Sequence, residues 1–410
     1  MKVLQINAVY EKFSTGRTTK EMHEYFLNNG IESFVASPYI ASLKKNAYMI
    51  GNKFDWKMHA LFSRLTGLQG YFSRNETKKL INYIDRIKPD IIHLRNLHSN
   101  YINLHMLLNY ISNNDIATVI TLHDSWFYTG KCMYYIEEQC SKWKKKCGKC
   151  PSLKKGNPSF FFDCTKKMLN DKRKDFSKID RLAVIGVSDW VTNDAKQSIL
   201  HDAKIIGRIY NWIDLDLFKP RNTTRLREEL NLNNKKVILG ISMIWSPQKG
   251  INIFLEMANL LPDDYQIILV GNCDKNKYFN SKIMYLDTVE NTKYLAQLYA
   301  MADIFVNPTI QDTFGKTTAE ALSCGTPVVA YNCTAMPELI GINKECGELV
   351  YTFDAISFKK SIISVMKKIE SGKKFMCRNR AITYFDKHKN IDMYLKLYNK
   401  LLDTDKINKE

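Results

Sequence analysis

With 410 residues, of which 45% are hydrophobic and 12% aromatic, the chain has the composition of an ordered protein and the length for two domains, each with its own core. The formal net charge of +18 is uneven: 31 Lys+Arg against 18 Asp+Glu give +13 over residues 1–200, and 29 against 24 give +5 over residues 201–410. A basic first half fits nucleic acid, an anionic membrane surface or a polyanionic substrate, and charge alone does not choose among them. No apolar run of 18 residues occurs, so no membrane-spanning helix is predicted.

The start, M-K-V-L-Q-I-N, is too polar for a secretory leader and reads as a first strand at Val3–Ile6. A cytoplasmic protein is therefore expected, its ten cysteines reduced or metal-bound. The loop E-K-F-S-T-G-R follows, then a helix over Thr18–Asn29 that Gly30 stops. A strand, a small-residue loop containing Gly16 and a helix make an anion cradle, with Arg17 as its counter-charge; an ordinary strand-to-helix connection is the plainer reading. Residues 31–36 fit a second strand, whereas 40–75 are polar and aromatic without a clear pattern. Leu80, Ile81, Ile84 and Ile87 recur at helical spacing, Lys88-Pro89 ends that helix, and Ile91–Leu94 is a strand. After a helix near 102–112, the strand Ala117–Leu122 delivers His123 and Asp124 at its carboxyl end, where open parallel sheets place their ligand chemistry.

Cys132, Cys140, Cys147 and Cys150 come next, the last two as C-x-x-C. They could form a tetrahedral structural zinc site, remain reduced buried thiols, or serve a redox or disulfide role. Lys142, Lys144, Lys145, Lys146 and Lys149 surround Trp143, which suits an anionic surface or simply a solvated loop. A basic helix near 164–176, strands at 182–187 and 204–210, and a helix from Asp189 complete the first half. The segment Y-N-W-I-D-L-D-L-F-K-P holds the hinge, because the same strand-and-helix grammar restarts at Lys236.

Val237–Ile241 opens the second half, and S-P-Q-K-G at 246–250 introduces an amphipathic helix. Lys249 stands at the positive end of that helix dipole, an unfavourable place for a cation unless an anion binds there. Further on, the strand Ile304–Val306 breaks at Pro308, a polar loop runs to Phe314 and Gly315, and a helix follows from Lys316 to Cys324. Gly325 and Pro327 end that helix before the buried strand Val328–Ala330. The backbone N–H groups of Gly315, Lys316 and Thr317 would face phosphate, Glu320 could hold a ribose diol, and Asp312 could reach the group beyond the phosphates. A capping Asp and a solvated Glu are the alternative.

Taken in order, S-T-G-R at 14–17, P-D-I-I-H-L-R-N-L-H at 89–98, T-L-H-D-S-W-F-Y-T-G-K-C at 121–132, C-G-K-C-P at 147–151, V-S-D-W at 187–190, N-W-I-D at 211–214, Q-K-G at 248–250 and the 307–338 stretch resemble the family 4 glycosyltransferases, notably the bacterial polysaccharide and colanic-acid-type members. The resemblance implies an α/β protein of GT-B architecture, two Rossmann-like domains facing across a cleft. An acceptor-side domain at 1–205, with a C-terminal helix near 385–410 packing back on it, would precede a nucleotide-sugar-binding domain at 206–384.

The implied reaction moves a sugar from a UDP- or GDP-sugar, with retention and without a cofactor or catalytic metal, to a lipid-linked or oligosaccharide acceptor of surface polysaccharide. His123 and Asp312 would act at the sugar. Gly16, Arg17, Lys249, Phe314, Gly315, Lys316, Thr317 and Glu320 would bind the donor. Asp312 stands where the family usually has Glu, and the Arg that commonly precedes its K-G is not present in G-I-S-M-I-W-S-P-Q-K-G. The expected location is the inner face of the cytoplasmic membrane. A nucleotide-sugar epimerase of the same fold is the rival enzyme, and nucleic-acid binding is disfavoured because neither a helix-turn-helix nor a basic aromatic sheet appears.

Overall fold

The computed structural model describes residues 1–40 and 46–407, with side chains as far as 403. The chain forms two compact units: Met1–Ile209 together with the chain from Ile391 onward, and Tyr210–Asn390. The first contains β1 (Lys2–Ile6), β2 (Glu32–Ser37), β3 (Ala47–Met49), β4 (Ile91–Leu94), β5 (Ala117–Leu122), β6 (Leu182–Gly186) and β7 (Ile205–Arg208). They pair in parallel, in the order β3-β2-β1-β4-β5-β6-β7. Every position of β4, β5 and β6 is buried, because helices cover both faces of a parallel sheet, and these strands are accordingly mostly apolar, interrupted by His93, Thr118 and Thr121.

The second unit contains β8 (Lys236–Ile244), β9 (Tyr265–Asn272), β10 (Ile283–Leu286), β11 (Ile304–Asn307), β12 (Val328–Tyr331) and β13 (Gly347–Val350), parallel in the order β10-β9-β8-β11-β12-β13. Its core gathers Phe254, Leu269, Val306, Val329, Phe358 and Ile362 between the sheet and the helices Ile251–Leu260 and Ala355–Glu370. In each sheet the strand order reverses once, between β1 and β4 in the first and between β8 and β11 in the second. At such a reversal adjacent strands send their connections to opposite faces, which opens a crevice at the carboxyl ends.

The stretch without a clear pattern at 40–75 supplies β3 and the helix Lys53–Thr66; residues 41–45 lie outside the described part. That helix is fixed by its ends rather than by a core-facing stripe. Asn52 and Asp55 form a reciprocal capping box, and Gly67 closes the helix at φ 74°. The last helix, Lys387–Ile407, runs on through a polar segment. It begins in the second unit and continues in the first, where Tyr394 bonds Thr121 Oγ1 at 2.9 Å and the Tyr398 hydroxyl meets His93 Nδ1 at 2.7 Å. Among the described residues no helix is long and apolar enough to cross a membrane.

Candidate active site

In the second unit, the two loops that flank the β8/β11 reversal carry most of the residues expected to bind a donor. The strand β8 runs into a 3-10 turn, Pro247–Lys249, and then Gly250 at φ 76° starts the helix Ile251–Leu260. A Cβ on Gly250 would lie 2.4 Å from the Pro308 ring, so only glycine allows this turn to touch the end of β11. Lys249, exposed, is the residue just before that contact.

That loop is organised by Asp312, whose Oδ1 accepts from the backbone N–H groups of Gly315 at 2.9 Å and Phe314 at 3.4 Å. The Phe314 ring is buried against Phe385 and Tyr210, which anchors the loop. Gly315 takes the left-handed conformation, φ 85° and ψ 60°, as the cap of the helix Lys316–Ser323. No side chain caps that helix, and Lys316 and Thr317, half-buried, form its first turn. Its first N–H groups therefore lack an intrahelical carbonyl, the condition under which a helix start receives an anion. Asp312 thus makes the capping-type bonds of the plainer reading. Glu320, by contrast, is not a solvated side chain: it is 3% exposed, and its Oε2 accepts from the Tyr299 hydroxyl at 2.9 Å.

In the first unit the helix after β1 begins at Phe13, five residues earlier than its sequence pattern suggests. Gly16 therefore belongs to the first turn of the helix Phe13–Asn28 and not to a phosphate-cradling loop. The chain reverses sharply at Glu11 and Phe13, both with positive φ, and a Cβ at Gly16 would sit 3.3 Å from the Glu11 nitrogen. Close approach of helix to loop is what this glycine permits. Arg17 follows it, half-buried on the same turn.

His123 does emerge at the carboxyl end of β5, 7% exposed, and its Nε2 accepts from Arg95 Nε at 3.2 Å. Arg95 is fully buried at the end of β4 and also donates to Gln5 Oε1, Thr19 Oγ1 and Thr18 Oγ1 at 3.1–3.2 Å. Burial lowers its pKa, as expected for a cation surrounded by neutral acceptors. The bond fixes the His123 tautomer: with Nε2 accepting, the proton resides on Nδ1, and a neutral imidazole presents one N–H donor. Arg95 draws Thr18 and Thr19 of the first helix and His123 of β5 into one network. Sequence reasoning passed over Arg95, although the rule that selected His123, a polar residue ending an apolar parallel strand, applies to it equally. Asp124 is engaged elsewhere, with Oδ2 2.9 Å from His98 Nε2 and Oδ1 accepting from Trp126 N at 2.9 Å.

The four cysteines line a single cavity together with Trp143. Among the described residues no three or more His, Cys, Asp or Glu side chains are arranged to hold a metal ion. The thiols have other partners. A hydrogen bond with Cys132 lowers the Cys150 pKa to about 7 and raises that of Cys132, because the pair shares one proton. Burial pushes the Cys147 thiol up to about 11. All ten cysteines are free.

Two doubly wound parallel sheets, each with a crevice at its strand-order reversal, make up the GT-B architecture. Solved structures with that fold align over nearly the whole chain. A sucrose-phosphate synthase from Thermosynechococcus elongatus superposes with a TM-score of 0.72 at 15% identity, over 98% of this chain and 99% of that one. Anabaena HepE, in complex with UDP and glucose, gives 0.65 at 15% identity, over 98% and 100%. Residues 235–368 match the family described as glycosyl transferases group 1.

Sequence relatives carry the same kind of name. The N-acetyl-alpha-D-glucosaminyl L-malate synthase of Bacillus anthracis is 25% identical over 54% of this chain and 61% of its own length. The N,N'-diacetylbacillosaminyl-diphospho-undecaprenol alpha-1,3-N-acetylgalactosaminyltransferase of Campylobacter jejuni is 29% identical over 43% and 47%. The colanic acid glycosyl transferase WcaC of Escherichia coli, a putative assignment by its own name, is 26% identical over 44% and 46%. The chain spans about half the length of the curated relatives it matches.

Proposed function

We propose that this protein is a retaining glycosyltransferase that moves a sugar from a UDP- or GDP-sugar to a lipid-linked or oligosaccharide acceptor in surface polysaccharide biosynthesis, at the anionic inner face of the cytoplasmic membrane. The observation that carries the reading is that the Gly250–Pro308 contact joins the turn bearing the exposed Lys249 to the end of β11, whose following loop leads into a helix start with no side-chain cap at Gly315. A cation on one such loop and a helix N-terminus after the next suit a diphosphate, whose negative charge grows as the glycosidic bond breaks. Lys249 and the N–H groups of Lys316 and Thr317 would stabilise that leaving group. Glu320 would receive the ribose, and Asp312 and the Nδ1–H of His123 would orient the sugar. The Campylobacter relative supports a lipid-diphosphate acceptor, and the HepE complexes support a UDP-linked donor.

The test is release of nucleoside diphosphate from a panel of nucleotide sugars, with and without a polyprenyl-diphosphate-linked oligosaccharide. Turnover that depends on both substrates is expected, and Glu320→Ala should abolish it while the protein stays folded. Conversion of the free donor with no acceptor present would instead identify an epimerase.

A further inference from the structure

The helix Lys53–Thr66 has inverted polarity. The residues it buries are His59 and Ser63, whereas Phe54, Leu61 and Phe62 are exposed at 70, 44 and 41%. Positions 54, 61 and 62 share one side of a 3.6-residue helix, with 59 and 63 on the other. Burial holds the His59 imidazole neutral, its pKa lowered to about 4, and its Nδ1 meets Ser73 Oγ at 2.7 Å.

A second exposed apolar element is attached to the end of this helix. Phe160, Phe161 and Phe162 are consecutive and exposed at 50, 68 and 59%. Phe160 N donates to Arg64 O at 2.8 Å, the Cys164 thiol lies 3.3 Å from Thr66 O, and a Cβ on Gly67 would meet Phe162 O. The Phe triplet and the helix therefore form one structural patch.

The charges around the patch are net positive. Lys53, Lys57 and Arg64 flank the apolar stripe on the helix, and Lys154, Lys155, Lys166 and Lys167 bracket the triplet in sequence, all exposed. Against these seven cations stand five acids: Asp55 and Asp163, which accept backbone N–H bonds, Glu137 and Glu138, which pair with Lys155, and Asp171, which pairs with Lys167. Large apolar side chains ringed by Lys and Arg match the boundary of an anionic bilayer, where rings enter the acyl region and ammonium groups meet headgroup phosphates.

We infer that Phe54, Leu61, Phe62 and Phe160–Phe162 form a docking face by which the first unit seats on an anionic lipid surface. The inference deepens the proposed action at a membrane by naming the surface that would touch the lipid. Charge complementarity selects lipid as the occupant over a second copy of this equally basic chain.

The test is co-sedimentation of the full chain with vesicles of phosphatidylcholine containing 30% phosphatidylglycerol, without donor or acceptor, so that its outcome is independent of any transferase assay. Wild type should partition into the pellet, and F160S/F161S/F162S should bind at least about tenfold more weakly, with an unchanged circular dichroism spectrum and melting temperature. Lys57→Glu/Arg64→Glu should weaken binding at low salt, and the control Phe279→Ser/Phe353→Ser in the second unit should bind like wild type. Equal pelleting of the triple variant and wild type overturns the inference, as does equal binding to pure phosphatidylcholine. A wild-type dimer in sedimentation velocity that the triple variant converts to monomer also overturns it, since the face would then be covered by a second copy. Should the triple variant not fold, Phe54→Ser/Leu61→Ser carries the same test.

Discussion

The two strand-order reversals are built alike and finished differently. At β1/β4 the crevice is filled from within: a fully buried Arg95 spends its donors on Gln5, Thr18, Thr19 and His123. At β8/β11 the cation is left outside, with Lys249 exposed next to a glycine-capped helix start. The first arrangement holds an imidazole in one tautomer, whereas the second leaves its charge in solvent. A shared fold thus finishes one reversal with a buried, hydrogen-bonded cation and the other with an exposed one.

The largest expected break in this contrast is Lys249→Ala. Removing a charge-assisted donor to a leaving diphosphate should cost about 3–4 kcal/mol of transition-state stabilisation, roughly 10²–10³ in kcat. Steady-state transfer kinetics would show it, with no change in melting temperature, because Lys249 is exposed.

Acid should separate the units almost as strongly. Seven of the eight histidines lie in the first unit, and His59 is held neutral there with a pKa of about 4. Between pH 6.5 and 4 the unfolded chain binds a proton that the folded one refuses, so stability is full above 6.5 and falls as pH drops through this window. His59 alone should contribute a loss of about 3 kcal/mol. Hydrogen exchange followed by mass spectrometry at pH 7 and pH 5 should show first-unit amides losing protection ahead of the second, and His59→Gln should flatten the difference.

A smaller effect, about 10–100-fold in kcat, is expected for Arg95→Met. Releasing His123 Nε2 frees the imidazole to change tautomer, so kcat should fall while the donor KM holds. A merely structural role would lower the melting temperature and the folded fraction instead. The smallest effect belongs to Asp312→Asn, whose amide oxygen can still accept from Gly315 and Phe314, so thermal unfolding should move by less than about 0.5 kcal/mol. A fall in transfer without a fall in stability would show that the carboxylate's charge matters beyond the turn.

Periodicity located β8 and the β11–helix–β12 step near their observed places, since buried parallel strands are largely apolar runs bounded by Gly and Pro, and gave no sign of β13. It missed β3 and the helix Lys53–Thr66 for a physical reason: that helix turns its apolar side outward, so no core-facing stripe marks it. It also set the start of the first helix late, because the positive φ at Glu11 and Phe13 carries the chain into the helix earlier than the sequence pattern implies. Asp312 was legible as an acid beside a helix start. That its oxygen binds backbone N–H groups was not, because the turn depends on Gly315 and the buried Phe314 ring.

By itself, then, the sequence determined the alternation of strands and helices, the two-part organisation and the placement of His123 at a strand end, all consequences of local pattern. Only the tertiary structure decided which polar groups meet. Arg95, Thr18 and His123 are separated by up to about a hundred residues and converge because β1, β4 and β5 are neighbours in one sheet. The turn that carries Lys249 meets Pro308 because β8 pairs with β11 and Gly250 leaves room for the contact. Of the four cysteines, close in sequence and suggestive of metal, the tertiary structure joins Cys132 to Cys150 by a hydrogen bond and sets all four around one cavity, which spacing alone does not encode.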